Sequence, residues 1–93
     1  MSVSVRIPTI LRSYTSDQAV VELEPSVATL QGVIDALEAA APGIAQRLLQ
    51  DTGELRRFIN VYINDDDVRF IDGLNSATPD GVQVSIVPAV AGG

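Results

Sequence analysis

Thr29-Leu30-Gln31-Gly32-Val33-Ile34-Asp35-Ala36-Leu37 is the stretch on which the fold turns. Leu30, Val33, Ile34 and Leu37 recur at i, i+3, i+4 and i+7, the spacing that gathers apolar side chains on one face of an α-helix. Asp35 and Glu38 fall off that stripe. Thr29 is a suitable N-cap, Glu24-Pro25-Ser26 interrupts the preceding pattern, and Pro42-Gly43 should stop the helix after its run of alanines. A helix apolar on one side needs a surface to cover, and the flanking sequence supplies strands.

On the N-terminal side, Ser2 to Leu11 sets Val3, Val5 and Ile7 against Ser2, Ser4 and Arg6, the period of two of a half-buried strand. Pro8 is expected at an edge or a bulge. Arg12 to Gln18 reads as a polar turn, and Ala19 to Leu23 as a second strand that closes a hairpin with the first. On the C-terminal side, Ile44 to Gln50 suggests a short second helix and Asp51-Thr52-Gly53-Glu54 a loop. Phe58 to Asn64 alternates as a strand, Asn64-Asp65-Asp66 is turn material, and Val68-Arg69-Phe70 is expected to pair back. Asp72 to Pro79 is irregular, Pro79-Asp80-Gly81 marks a turn, and Val82 to Ile86 is a final strand ending at Pro88. The first and last strands carry the best matched alternation and are expected to pair in parallel at the centre. The fold class is α+β, a mixed sheet with one main helix packed on one face.

With 93 residues and 46% hydrophobic composition, the chain fits one domain, residues 1–87, followed by a flexible tail, residues 88–93. It has no cysteine and no histidine, which removes the thiol nucleophile, the usual general base near neutral pH and the commonest metal ligands. Asp65-Asp66-Asp67 offers oxygen ligands but lacks the spacing of a calcium loop, and turn chemistry accounts for it better; no metal site is expected. All six basic residues are arginine, against twelve acidic ones, for a net charge of −6. That balance argues against nucleic acid as a partner. The alternating N-terminus lacks the apolar core of a signal peptide, and no apolar run is long enough to span a bilayer. A cytoplasmic protein without membrane contact is the expectation.

The chemistry then falls to the end of the chain, Pro88-Ala89-Val90-Ala91-Gly92-Gly93. Fully extended, this stretch spans about 20 Å at roughly 3.3 Å per residue, enough to enter a neighbouring protein's active site. Gly92 and Gly93 have no side chain, so the backbone can thread a narrow channel. Gly93 would present a carboxylate, Gly92 would give access to it, and Pro88, Ala89, Val90 and Ala91 would set the reach and touch the partner.

Val3 to Leu11, Arg57 to Asp65 with Asp67 to Phe70, and Val87 to Gly93 together resemble the ubiquitin-like sulfur carriers of the ThiS/MoaD family, the cysteine-biosynthesis branch most closely. The resemblance covers nearly the whole chain and implies the ubiquitin-like β-grasp fold. It also implies a role as a protein co-substrate, not an enzyme. A ubiquitin-activating-type enzyme would use ATP to adenylate the Gly93 carboxylate, and sulfur transfer would leave a thiocarboxylate there. A pyridoxal-phosphate-dependent cysteine synthase would present the electrophile, and a zinc peptidase would release cysteine. ATP, pyridoxal phosphate and zinc belong to those partners, and no cofactor is expected on this chain. Two other readings remain open: a small subunit of molybdopterin synthase, and a ubiquitin-like binding module whose glycines are inert.

Overall fold

The capped helix and the alternating strands find each other as the sequence spacing requires. In the computed structural model, which describes residues 2–88, the order is β1 (Val3–Arg6), a 3₁₀ helix (Thr9–Thr15), β2 (Val20–Leu23), α1 (Leu30–Ala40), α2 (Ala45–Leu48), β3 (Ile59–Ile63), β4 (Asp66–Asp67), 3₁₀ turns at Val68–Phe70 and Gly73–Asn75, and β5 (Gln83–Pro88). Among the described residues the strands form one mixed sheet in the order β2-β1-β5-β3-β4. β1 and β5 are parallel neighbours, with Val5 opposite Val84, and the other pairs are antiparallel.

Thr29 caps α1, its hydroxyl accepting the Gly32 N–H at 3.2 Å. Leu30, Val33, Ile34 and Leu37 are all buried, against Val3 and Val5 of β1, Val61 of β3 and Val84 and Ile86 of β5. Each such side chain contributes about 1.5–3 kcal/mol by leaving water. This stripe and the inward faces of the strands make up most of the core.

Three local readings are corrected. The first strand ends at Arg6, not Leu11: Pro8 fixes an extended residue ahead of the 3₁₀ helix, and Leu11 enters the core from that helix. Arg12 to Gln18 is therefore largely helical turn. Val68-Arg69-Phe70 is a 3₁₀ turn and not a strand, because the Asp67 carboxylate accepts the Arg69 N–H at 2.9 Å and curls the chain after two residues of β4. That bond also gives the aspartate run its structural use.

Glu38 holds α2 in place. Its two carboxylate oxygens accept the N–H groups of Gly43 and Ala45, each at 2.9 Å. These bonds favour the ionised form and hold the Glu38 pKa below its ordinary 4.5. A group depressed in the folded state stabilises above its unfolded pKa and loses that contribution as pH falls through the folded one. Glu38→Gln should therefore lower the urea midpoint at pH 7, and the gap from wild type should close as pH drops below about 4. A gap of constant size from pH 7 to pH 3 would rule this coupling out.

Candidate functional site: the root of the C-terminal segment

β5 is the central strand, and its alternation decides what surrounds its end. Val84 and Ile86 point into the core, while Val87 faces solvent and Pro88 is half-buried. Pro88, read from sequence as the first residue of the tail, is the last residue of β5 and pairs with Ile59. Proline lacks the N–H to extend the ladder, so it suits the final position. Ala89, Val90, Ala91, Gly92 and Gly93 lie outside the described residues.

β5 outlasts its parallel neighbour. β1 pairs only as far as Arg6 opposite Ser85, then turns away at Pro8. Beyond Ser85, β5 is paired by β3 alone, and a shallow cleft opens between its last residues and the segment from Arg6 to Arg12. A second cleft, lined by residues that include Ile10, Arg47, Arg57 and Phe58, also reaches Pro88. Pro88 is common to both.

The rim combines apolar side chains with fixed guanidiniums. Ile10 and Phe58 are 68% and 55% exposed, and Val87 is 42% exposed. Arg12 donates from Nε to the Ile7 carbonyl at 3.1 Å, and Arg56 donates from Nε and Nη2 to the Gln46 carbonyl at 2.9 and 2.7 Å. Arg47 donates from Nε to the Tyr14 hydroxyl at 2.8 Å, a bond that pushes its pKa further up. These hydrogen-bond acceptors are all neutral oxygens. Arg69 anchors the segment entering β3, reaching Asn60 Oδ1 and the carbonyls of Arg56 and Ile59 at 2.6–2.7 Å.

Of the strand residues around this end of the sheet, Ile59 is buried, Tyr62 half-buried and Val87 exposed. Sequence reasoning missed Ile10, Phe58 and the arginines as a group, because they come from separate stretches and converge only through the sheet register. The signal within reach was that Arg6, Arg56 and Arg57 stand at or just before strand ends. Among the described residues, no group of three or more His, Cys, Asp or Glu side chains could hold a metal ion. No helix there is long and apolar enough to cross a membrane.

Known proteins share this architecture over its whole extent. The model of the ThiS family matches residues 5–93. The sulfur carrier protein CysO of Mycobacterium tuberculosis is 52% identical over 95 aligned positions covering all of both chains. Its crystal structure superposes with a TM-score of 0.87 at 50% identity, covering 95% of this chain and 99% of that one. A chain from the crystal structure of the Amycolatopsis orientalis BexX/CysO complex gives a TM-score of 0.88 at 48% identity, covering 98% and 99%.

Proposed function

Because the chain belongs to the ThiS family, we propose that it carries sulfur as a thiocarboxylate on Gly93 and donates it for cysteine biosynthesis. It is a carrier acted on by other proteins and not a catalyst. The observation that supports the reading most is the full-length 52% identity to a sulfur carrier protein. The central position of β5, whose last residue Pro88 lines both clefts, is consistent with it.

A carboxylate is a weak electrophile. On an activating enzyme of the ubiquitin-activating type, a Gly93 carboxylate oxygen would attack the α-phosphate of ATP, releasing pyrophosphate and forming an acyl-adenylate. A hydrosulfide equivalent would then attack the acyl carbon and expel AMP, leaving the thiocarboxylate. Its sulfur would be the nucleophile toward an electrophile presented by a pyridoxal-phosphate-dependent cysteine synthase, with a zinc peptidase releasing cysteine afterwards. This chain supplies the acyl group, the reach and the docking surface. Its lack of cysteine and lysine leaves no side-chain thiol or amine to intercept the activated end.

The test is an intact mass of protein isolated from its host without reductant and treated with a thiol alkylator. One adduct per chain, mapped to the peptide ending at Gly93, is the expected result, and a cysteine-free chain leaves no thiol side chain to compete. Absence of any adduct, even after incubation with the host's activating enzyme, ATP and sulfide, would return the glycines to an inert role.

A further inference from the structure

The charge of this chain is unevenly distributed. Five of its six arginines, Arg6, Arg12, Arg47, Arg56 and Arg57, line the two clefts at Pro88, and no acidic residue lines either. The opposite end of the sheet, where β1 and β5 begin and β3 turns into β4, carries Asp65, Asp66 and Asp80. Asp80 accepts the Ser2 N–H there. The net charge is −6, yet the end from which the C-terminal segment leaves is positive.

We infer that the tail-root end of the sheet docks a protein partner whose active-site mouth is rimmed with carboxylates around an apolar floor. The inference rests on the functional reading above, since the partner is the activating enzyme that receives the Gly93 carboxylate. Arginine beside exposed apolar and aromatic side chains is the composition enriched in protein interfaces. Here Ile10 and Phe58 stand proud between guanidiniums held by neutral acceptors. Among the described residues no acidic side chain lines either cleft to compensate this charge, and carboxylates on a partner would do so. The separation of charge also serves approach: a field that is positive at one end and negative at the other turns the molecule so that the Pro88 end of the sheet leads toward an acidic mouth. A nucleic acid would instead meet a net negative chain.

The probe is the host's ubiquitin-activating-type enzyme, and the reading is its affinity for the full-length chain by biolayer interferometry. Arg6→Gln with Arg57→Gln takes the net charge from −6 to −8. Asn75→Asp with Gln83→Glu does the same away from both clefts. The first pair should weaken binding at least tenfold and flatten its dependence on salt, while the second should change it less than twofold. Equal affinities for the two double variants, or no binding by the wild-type chain, would overturn the inference. So would a loss of self-association with enzyme affinity unchanged, which would identify a second copy of the chain as the occupant. Alkylation is read on the wild-type chain, so a carrier that loads normally while its enzyme binds indifferently to Arg6 and Arg57 separates the two failures.

Discussion

A chain ending at Ala91 will fold and unfold as the full-length protein does and will take up no sulfur. The first half follows from where the structure is complete. Among the described residues, the last strand pair is Ile59 with Pro88, and every core side chain precedes it. Removing Gly92 and Gly93 should therefore change stability by no more than about 0.5 kcal/mol, the range of changes at surface positions. The second half follows from reach. Two residues of extended chain are about 7 Å, and an active site that adenylates a carboxylate at one depth meets nothing that far short. Ala91 would also bring a Cβ to the reacting end, where glycine has none. Alkylation and intact mass, run beside thermal unfolding, read both halves together. A truncated chain that still gains one adduct would show that the reacting group is not the Gly93 carboxylate. A truncated chain that unfolds early would show that the last two residues contribute to the fold.

The sequence was most informative where one residue type repeats at a fixed spacing. The stripe Leu30, Val33, Ile34 and Leu37 and the alternation in β3 and β5 describe burial against a single surface, and each is buried as read. Where a local side-chain bond competes with the ladder, the pattern misleads. Val68-Arg69-Phe70 has strand-forming residues, but the Asp67 carboxylate captures the Arg69 N–H first. Val3 to Leu11 alternates through Ile7, yet the chain leaves the sheet at Pro8 because a 3₁₀ helix buries Leu11 instead. The rim at the tail root lay beyond such reading for another reason. Ile10, Arg47 and Phe58 are brought together by parallel pairing of β1 with β5 and antiparallel pairing of β5 with β3, a long-range register that no short window contains.

Gly32 is a position of the same kind, and Gly32→Ala is expected to destabilise the fold by about 1–3 kcal/mol, the usual cost of overpacking. On an exposed helix the change would do the opposite, since alanine is favoured over glycine by up to about 1 kcal/mol. The sign reverses because of what faces α1. A Cβ on Gly32 would fall on the Val27 carbonyl oxygen, with the carbonyl carbon at 2.9 Å and Val27 Cβ at 3.0 Å. A flexible side chain would swing away, but this obstacle is backbone. Nor is that backbone free to retreat, because the Ala28 carbonyl accepts the Thr78 N–H at 3.0 Å and Thr29 bridges to Ala77. The Leu30 N–H is held by the Ser76 carbonyl at 3.0 Å. Either α1 lifts from the sheet and loses burial of Leu30 and Val33, or the Val27–Thr29 segment moves and loses these bonds. For a domain of this size the melting temperature should fall by about 4–8 °C per kcal/mol. Sulfur loading per folded molecule should be unchanged at low temperature, because α1 lines neither cleft beside Pro88. A melting temperature at or above that of the wild type would mean that α1 stands off from Val27 and that helix propensity governs this position after all.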